Sequence, residues 1–448
     1  MSKARKLLTE SEILEIAHSE NVRLVQLQFV DVHGAPKQMT VHVDMLQAAL
    51  NNEIMLDGSS IAGFRSIETS DMYFYTDKST FQVLPWTHSG RKVARMMCDI
   101  YNPDGTPFDG CPRNNLKRIL KKAEEKGFIY NVGPELEFFL FRTDDEGNVT
   151  LATHDKAGYY DQAPDDLGED VRATITDTLE TLGFEIEASH HEVAHGQHEI
   201  DFKYGDALIT ADNVINFKLV TRKIASEYGL HATFMPKPVF GINGSGMHCN
   251  QSLSLPDGQN AFLDNNAEYQ LSEKCLYYIG GLLKHIRGIA LITNPLVNSY
   301  KRLVPGYEAP VYIAWSPSNR SALIRVPAKR GRATRIELRS PDPSCNPYLA
   351  FASMLTAGLD GIDQKISAPA PTQVNIYHLD AEQRSNHGIT SLPGSLGEAI
   401  EEFRASKIAQ EALGPHIFEQ VLKAKQKEWD DYRTYVSAWE TDRYLYNI

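Results

Sequence analysis

Apolar and polar positions alternate between strand-like and helix-like patterns along the chain. The alternating stretch at 22–32, VRLVQLQFVDV, predicts a strand, whereas apolar residues at 114–128 recur with the spacing of an amphipathic helix. A turn-rich segment at 102–113 separates these two regions. Farther on, strands and helices mix, and helices dominate from about 267 to 288 and again after Pro347. This order predicts a chain that mixes strands with helices and has a domain boundary at 102–113.

Two glutamates interrupt an otherwise apolar strand, GPELEFFLF at 133–141. Glu135 and Glu137 share one face of that strand and lie about 6–7 Å apart, the span of two residue rises. Two like charges facing an interior are costly unless a cation lies between them. Taken alone, the pair is best interpreted as an edge strand whose glutamates face water, because glutamate is usually exposed.

A second glutamate pair occurs in EASHHEVAHGQHEIDF, residues 187–202. If His195 and Gly196 form a hairpin turn, Glu192 lies opposite Glu199, with Cβ atoms about 5 Å apart. Directly opposed like charges destabilise a sheet. Two such pairs within one domain favour a metal site over two solvated strand pairs.

A glycine-rich turn precedes a further strand-like stretch, NGSGMHCNQS at 243–252. His248, Asn250 and Ser252 share one face of this strand, and the glycines allow the backbone to approach a ligand closely. The stretch is not a dinucleotide-binding fingerprint, because a strand rather than a helix follows the glycines. A lone histidine is more often a core residue than a ligand, so this signal is weak by itself.

Basic residues are concentrated between positions 320 and 339, where seven arginines and lysines accompany a single acid, Glu337. Arginine side chains bind phosphate and carboxylate oxygens in a bidentate manner. A solvated basic face or an RNA-binding patch is the alternative, but aromatic residues are not interleaved, which weakens the RNA interpretation. Arg335, Glu337 and Arg339 share one strand face, which suits a metal ligand between two anion-binding arginines.

The types of ligand indicate the metal and the class of reaction. Glutamates with one histidine suit Mg²⁺ or Mn²⁺ better than zinc or copper. Two or more divalent ions beside an arginine cluster are typical of phosphoryl transfer from a nucleotide. The sequence contains neither a GxxxxGK[ST] loop nor the HRD and DFG motifs of protein kinases, so it belongs to neither of those classes.

Composition narrows the classes of function. The chain has 448 residues, with 42% hydrophobic and 23% charged, which is ordinary for a soluble globular protein. A net charge of −13 argues against direct nucleic-acid binding. The first residues lack an apolar core long enough for a signal peptide, and no run of about 18 apolar residues predicts a membrane span. Five scattered cysteines without a CxxC pair predict a reduced, cytoplasmic protein.

Seven motifs together resemble type I glutamine synthetase, particularly the branch found in Gram-positive bacteria. The resemblance covers essentially the whole chain and implies an α+β fold with a β-grasp domain at 1–105. It implies a catalytic domain at 106–448, with a curved antiparallel sheet, or half-barrel, surrounded by helices and followed by a helical C-terminal region. The motifs are DGSSI, GPELEFF, HHEVA with GQHEIDF, NGSGMHCN, KRLVPGYEAP, NRSALIRVP and RIELRSPDPSCNPYLA.

The resemblance implies an ATP-dependent ligase that forms L-glutamine from L-glutamate and ammonia through γ-glutamyl phosphate, with ADP and phosphate as products. It implies two or more Mg²⁺ or Mn²⁺ ions per site, held by Glu137, Glu192 and Glu199 and by Glu135, His248 and Glu337. It assigns glutamate binding to Asn243, Gly244, His248, Arg302, Glu308, Arg320 and Arg339. It assigns ATP binding to Glu187, Tyr204, Asn250, Ser252, Arg320, Arg325 and Arg335.

By the same resemblance, Asp57 takes a proton from ammonium, and Ser60, Tyr159 and Glu192 complete that pocket. Glu308 closes over the site as a lid, and Arg320 and Arg339 complete the catalytic set. The family assembles as a dodecamer of two hexameric rings with active sites between adjacent subunits. A nitrogen-responsive transcription regulator is a further expected partner.

Two alternatives remain open at the level of sequence: a γ-glutamyl ligase that uses another amine, and a regulatory paralogue that acts through protein partners. Three positions depart from the family pattern. Ser66 stands where feedback-inhibited relatives have an arginine, which puts glutamine inhibition in doubt. Tyr377 lies in a sequence context unlike that of adenylylated relatives, and His195 replaces a usual proline.

Overall fold

The structure, a computed structural model, describes residues 5–446. The elements up to residue 101 are α1 (Glu10–Ser19), β1 (Val22–Val30), β2 (Pro36–His42), α2 (Leu46–Leu50), β3 (Met55–Asp57), β4 (Asp71–Thr76), β5 (Gln82–His88) and β6 (Arg91–Tyr101). The six strands described here form one sheet in the order β2–β1–β6–β4–β3, with β5 also paired to β6. β1 and β6 run parallel, and the other neighbours run antiparallel. This mixed sheet is the arrangement expected of a β-grasp domain.

The next elements are α3 (Pro112–Glu125), β7 (Ile129–Thr143), β8 (Val149–Thr153), α4 (Glu169–Thr181), β9 (Ile186–His191), β10 (Gln197–Phe202), β11 (Gly205–Asp206), α5 (Ala207–Glu227), β12 (Leu230–Thr233), β13 (Met247–Ser254) and α6 (Glu273–Thr293). The remaining elements are α7 (Ser299–Arg302), β14 (Tyr312–Ile313), β15 (Trp315–Ser316), β16 (Ile324–Arg325), β17 (Ile336–Leu338), α8 (Pro347–Asp363), α9 (Ala381–Asn386), β18 (Thr390–Ser391), α10 (Leu396–Ala405), α11 (Lys407–Thr434) and α12 (Ala438–Tyr444).

A second sheet is built around the long strand β7. Among the described residues its ten strands follow the order β15–β16–β17–β13–β7–β10–β9, and β8, β11 and β12 also pair with β7. The pairs are antiparallel apart from β15 with β16. The antiparallel sheet predicted for the catalytic half is therefore confirmed. The exact domain division at 105/106 stays a prediction.

Helix α6 has the length and apolar composition of a membrane span, but two-thirds of its most apolar window (67%) is buried inside the fold. It packs closely against α8, because Gly281 and Gly361 allow the two backbones to meet: a Cβ on Gly281 would lie 2.7 Å from the Gly361 Cα. Neighbouring α6 residues such as Ile279 and Leu282 are fully buried. We interpret α6 as a core helix of the catalytic half.

A buried ionic network joins the two halves of the chain. The Arg113 guanidinium, at the start of α3, pairs with Asp77 at 2.6 Å, with Asp99 at 3.0 Å and with Asp212 of α5 at 2.9 Å. Tyr348 of α8 donates its hydroxyl to the same Asp212 at 2.8 Å. Because these charges are shielded from water, the network fixes the first sheet against the catalytic helices.

Candidate active site

Strand β7 places its two glutamates on the inner face of the second sheet, opposite polar residues of the neighbouring strands. Glu137 is in register with Glu199 of β10, and Glu135 is in register with both His248 of β13 and Asp201 of β10. This face forms the floor of a cavity of about 290 Å³. The structure thus brings the predicted acids together, and the interpretation of β7 as an edge strand is wrong.

The hairpin before β10 has a different register from the predicted one. His195 and Gly196 do form the turn, with the Gln197 N–H donating to Ala194 O at 3.0 Å and Gly196 at φ 68°. Beyond it, however, the Glu192 N–H donates to Gln197 O at 2.8 Å, so Glu192 lies opposite Gln197 rather than Glu199. The offset is two residues, and an even offset leaves a side chain on the same face of a sheet. Glu192 and Glu199 therefore still converge.

One group of possible metal ligands consists of Glu135, His248 and Glu337, whose ligand atoms all lie within 4.8 Å of one another. His248 Nδ1 is 3.4 Å from Glu135 Oε2 and 3.7 Å from Glu337 Oε1. Burial, reinforced by the nearby Arg339, lowers the pKa of His248 below its ordinary value. A neutral imidazole between two carboxylates is the form that ligates a metal.

Two arginines flank this group, but only Arg339 belongs to the pair that the sequence predicted, because Arg335 contacts Asn250 instead and Arg325 takes its place. Arg325 Nε donates to Glu337 Oε2 at 2.6 Å, and Arg339 Nη1 donates to Glu337 Oε1 at 3.0 Å. Glu337 is fully buried, so both guanidiniums are held close to the candidate metal ligand. The carboxylate and the two cations form a preorganised site for a divalent ion and an anion together.

A second group consists of His190, Glu192 and Glu199, again with ligand atoms within 4.8 Å of one another. Glu137 lines the same cavity, directly across the sheet from Glu199. Burial and then the charge of Glu192 raise the pKa of Glu137 to about 8. Burial, together with Asp201 and Glu137, also raises the pKa of Glu199 well above its usual value. A divalent ion fits these carboxyls in charge and in ligand type.

Gln197, which also lines the cavity, holds Glu137 in position through a hydrogen bond. Its Nε2 donates to Glu137 Oε2 at 2.7 Å and to Gly244 O at 3.2 Å, and its Oε1 accepts from the Ala194 N–H at 3.2 Å. The Gly246 N–H donates to the same Glu137 oxygen at 3.0 Å. Gln197 is 1% exposed, so its amide orientation is fixed by these contacts. It joins a candidate metal ligand to the loop that bears Asn243 and Gly244.

The residues assigned to glutamate line the same cavity: Asn243, Gly244, His248, Arg302, Glu308, Arg320 and Arg339. Gly244 approaches its neighbours closely, since a Cβ there would lie 2.2 Å from Pro236 O. Arg302 is buried and donates to backbone carbonyls, including Ser340 O at 2.7 Å. Glu308 is exposed, has φ 59°, and accepts from Asn243 Nδ2 at 3.1 Å. A strained, exposed loop contact of this kind suits a segment that moves.

A second cavity, of about 460 Å³, adjoins the first and shares Glu135, Asp201 and Arg325 with it. Arg335 Nε donates to Asn250 Oδ1 at 2.8 Å, and Asn250 Nδ2 donates to Glu135 Oε1 at 2.8 Å. This chain of contacts links the wall of the second cavity to a metal ligand. Arg320, also assigned to the nucleotide, lines only the first cavity, whereas the other six assigned residues line the second: Glu187, Tyr204, Asn250, Ser252, Arg325 and Arg335.

The four residues assigned to the ammonium pocket lie in two separate places. Tyr159 and Glu192 line the first cavity. Asp57 and Ser60 do not line it in the part of the chain that is described, and Ser60 instead lines an open groove with Gln420 and Lys423. The exposed Asp57 carboxylate accepts from Ser59 Oγ at 2.6 Å and from Ser60 Oγ at 3.3 Å. Hydrogen bonds from Ser59, above all, lower the pKa of Asp57.

Sequence reasoning missed several residues of the cavity wall. Asp201 lines both cavities, and burial together with Glu135 raises its pKa to about 7. His190, Gln197, Tyr160 and Tyr307 also line the first cavity. The period-two pattern of QHEIDF would have found Gln197 and Asp201, because they share a strand face with Glu199.

Family comparisons agree with this geometry. The model of the glutamine synthetase catalytic domain matches residues 109–444, and the model of the glutamine synthetase β-grasp domain matches residues 21–103. The chain belongs to the glutamine synthetase family. The family models also confirm the α+β fold with an N-terminal β-grasp domain. Glutamine synthetases characteristically use ATP and divalent metal ions, which the two cavities and the acid clusters accommodate.

Relatives with the name glutamine synthetase are similar over nearly the whole chain. The protein from Methanosarcina mazei is 55% identical over 445 residues, covering 99% of both chains. The protein from Clostridium saccharobutylicum is 55% identical over 437 residues, with 98% of each covered. The protein from Staphylococcus aureus strain MW2 is 54% identical over 442 residues, covering 98% of this chain and 99% of its own. These matches confirm the resemblance to a type I glutamine synthetase.

Solved structures are similar across the full fold. A GmaS/ADP complex superposes with a TM-score of 0.87 at 30% identity, covering 99% of this chain and all of the other. Plasmodium falciparum glutamine synthetase superposes with a TM-score of 0.86 at 26% identity, with the same coverage. The glutamine synthetase fold therefore extends through both halves of the chain.

Proposed function

We propose that this protein is an ATP-dependent glutamine synthetase that forms L-glutamine from L-glutamate and ammonia through γ-glutamyl phosphate, releasing ADP and phosphate. The observation that supports this proposal most directly is the junction of the two cavities. Glu135, Asp201 and Arg325 line both of them, so a nucleotide in one and an acid in the other would meet beside Glu135, a candidate metal ligand. Phosphoryl transfer needs two substrates held next to each other with charged groups between them.

Each of the two groups of candidate metal ligands has its own role in the proposed reaction. Glu135, His248 and Glu337 would hold one ion beside the nucleotide cavity, and Glu137, Glu192 and Glu199 would hold another beside the glutamate. Divalent ions at these positions would supply positive charge to screen the phosphoryl group and the acceptor carboxylate. Carboxylate ligands suit Mg²⁺ and Mn²⁺, and we propose Mg²⁺ as the ion used.

The arginines of the first cavity orient the reacting groups. Arg339 is buried beside Glu337, whereas Arg320 is exposed at the mouth of the cavity. We propose that Arg302 and Arg320 bind the glutamate carboxylates while Arg339 stabilises charge on the transferred phosphoryl oxygens. In the second cavity, Asn250, Ser252, Arg335 and Tyr204 would position the nucleotide. Glu308 would close the entrance and exclude water from the acyl phosphate.

The separation of Asp57 from the cavity supports a site shared between subunits. In its own chain Asp57 is exposed at the end of β3, outside both cavities, and hydrogen bonds from Ser59 lower the pKa of its carboxyl. We propose a homo-oligomer, specifically a dodecamer of two hexameric rings, in which Asp57 and Ser60 of one subunit complete the ammonium pocket of the next. A head-to-tail contact that closes by rotation permits this exchange.

The location, the regulation and the protein partners belong to the proposal as well. We propose a cytoplasmic enzyme of ammonium assimilation, with a nitrogen-responsive transcription regulator as a partner. Arg65 donates to Asn102 Oδ1 at 2.8 Å and lies over the Phe108 ring, so it does not substitute for the arginine missing at Ser66. Weak inhibition by glutamine is therefore part of the proposal.

A coupled assay tests the function directly. ADP release is measured with ATP, glutamate and MgCl₂, with and without ammonium, and glutamine is quantified in the same samples. We expect ammonium-dependent ADP release with one glutamine formed per ADP. Turnover with methylamine or ethylamine but not with ammonium would identify a γ-glutamyl ligase for another amine. Absence of turnover with every amine, in a folded oligomer that binds ATP, would support a regulatory protein instead.

A further inference from the structure

A buried arginine without an acidic partner lies between the first sheet and the catalytic half. Arg95 of β6 is 3% exposed. Its Nη1 donates to Asn216 Oδ1 of α5, and its Nη2 donates to Gln82 Oε1 of β5 at 2.7 Å. Within residues 5–446 it forms no ion pair with a carboxylate. A buried charge of this kind is costly unless it is compensated.

The acids near Arg95 are already paired with other cations. Asp212 contacts Arg5 at 2.6 Å and Arg113 at 2.9 Å, and Asp99 contacts Arg113 and Lys117. Among the described residues, the ionic network pairs three cations, Arg5, Arg113 and Lys117, with three carboxylates, Asp77, Asp99 and Asp212. These three carboxylates are already matched by three cations, and Arg95 has only the neutral amides of Asn216 and Gln82 as side-chain partners there.

Arg95 faces a cavity of about 290 Å³ that is separate from both active-site cavities. Arg5 lies on the same cavity wall, together with the hydroxyl residues Ser79 and Thr80 and the amides of Asn213 and Asn216. Burial, followed by the charge of Arg5, lowers the pKa of Arg95 to about 10, so the guanidinium is still charged at neutral pH. The cavity wall therefore combines two cations with neutral polar groups and with five apolar side chains: Phe81, Met97, Leu182, Phe184 and Ile209.

We propose that this cavity binds a small oxyanion, either phosphate or a small carboxylate, against Arg5 and Arg95. Guanidinium groups bind both kinds of anion through paired hydrogen bonds. The cavity, of about 290 Å³, is large enough to hold such an ion. The anion supplies the charge that the protein lacks at this point.

The bound anion would join three separate parts of the chain. Arg5 precedes α1, Arg95 lies in β6 of the first sheet, and Asn213 and Asn216 lie in α5 of the catalytic half. Binding therefore holds the first sheet and the catalytic half together, and it stabilises the folded state as the anion concentration rises. The inference is independent of the reaction proposed above, because it concerns a different cavity.

An isosteric variant provides the test. Asn216→Asp places a carboxylate where the amide oxygen already contacts Arg95, so it supplies the missing charge from within the chain without changing the shape of the site. Arg91→Gln, at an exposed arginine of the same strand, is the matched control. Equilibrium dialysis at constant ionic strength measures the number of ions bound per chain, with inorganic phosphate in one arm and malonate in the other.

We expect wild type and Arg91→Gln to bind one more ion per chain than Asn216→Asp, and the arm showing that difference identifies the anion class. Phosphate bound in the active site should be the same for all three proteins, so it does not affect the difference in the number of ions bound per chain. Thermal unfolding should show an anion-dependent rise in Tm for wild type, whereas Asn216→Asp should begin with a raised Tm and respond at least tenfold more weakly to added anion. Equal binding of both anions by wild type and Asn216→Asp would overturn the proposal.

Discussion

Glu137 and Glu199 lie directly opposite each other on neighbouring strands, and the pKa of each carboxyl is raised. Side chains in such positions normally avoid like charge, because the repulsion weakens the strand pair. Here the two carboxyls are buried at the floor of a cavity, each 8% exposed. The arrangement is unfavourable by itself, and the divalent cation proposed above would relieve the repulsion, so the fold keeps these two carboxyls together at a cost in stability.

Substitution of Glu137 separates metal binding from folding. We expect Glu137→Gln to lower kcat/KM more than about 100-fold, because a lost metal ligand costs more than a lost supporting contact. We also expect the metal-free variant to be as stable as wild type or more stable, since one buried like charge is removed. Steady-state kinetics and thermal unfolding in EDTA check the two parts, with Glu146→Gln on an exposed loop as the control. Near-normal turnover at ordinary magnesium concentrations would contradict the assignment.

The same carboxyls predict how stability depends on pH. The Glu137 pKa is about 8 in the folded protein, above its value of about 4.3 in the unfolded chain. Because the folded-state pKa is raised, the contribution of Glu137 to the free energy of unfolding is greatest below about pH 4.3. It falls by roughly 1.4 kcal/mol for each pH unit as the pH rises toward about 8.

Metal-free wild type should therefore lose stability relative to Glu137→Gln between about pH 4.5 and 8. Saturating MgCl₂ should reverse that loss, because the ion replaces the proton. Denaturant unfolding at several pH values, in EDTA and in MgCl₂, measures both differences. If the difference in free energy of unfolding between wild type and Glu137→Gln does not change with pH across this window, the prediction is wrong.

Gln197 provides a test of a positioning residue. Its side-chain amide fixes Glu137 and the Gly244 carbonyl at once, so Gln197→Ala should free the carboxylate that faces the metal. We expect activity to fall about 10–100-fold and the Mg²⁺ concentration for half-maximal activity to rise, because supporting contacts tune ligand geometry. Magnesium titrations of activity measure this shift, with the exposed Gln410→Ala as the control. A fall in kcat without any shift in magnesium dependence would show that Gln197 does not act by positioning a metal ligand.

Mixing two inactive variants tests the shared site. Asp57→Ala and Glu308→Ala are each expected to be inactive, because one lacks the group that takes a proton from ammonium and the other lacks the lid carboxylate. If neighbouring subunits share each site, random co-assembly leaves roughly a quarter of the sites with both native residues. Activity should return on mixing during assembly but not on mixing preformed oligomers. Co-assembled oligomers, verified by mass, that stay inactive would place Asp57 in the site of its own chain.

Several parts of the site were accessible from the sequence because they follow from strand periodicity. The alternation around Glu135 and Glu137, around His248, and around Glu337 places each side chain on a face without reference to distant residues. The register of the hairpin was not accessible, because it depends on two extra residues, Val193 and Ala194, between the turn and the paired strands. The prediction of convergent glutamates was nevertheless correct, since an even offset preserves the face.

Other features could not be predicted because they depend on packing between distant segments. The uncompensated charge of Arg95 results from how α5 meets the first sheet, 121 residues farther along the chain. Asp201 was overlooked although its spacing from Glu199 was visible, and only its register with Glu135 shows that it lies where the two cavities meet. Side-chain spacing therefore identifies candidate ligands, whereas the pairing of strands decides which of them meet.

The central position of β7 also has a consequence for synthesis of the chain. β7 is translated early, yet Glu337 of β17 belongs to the same ligand group as Glu135. The ribosome needs roughly 10–40 s to add the intervening residues at about 5–20 residues per second. Until β17 emerges, the nascent sheet ends at β13 with an unpaired edge. That edge is open to pairing with other nascent chains, so the final residues of the metal site also end the interval in which the growing polypeptide is most prone to aggregate.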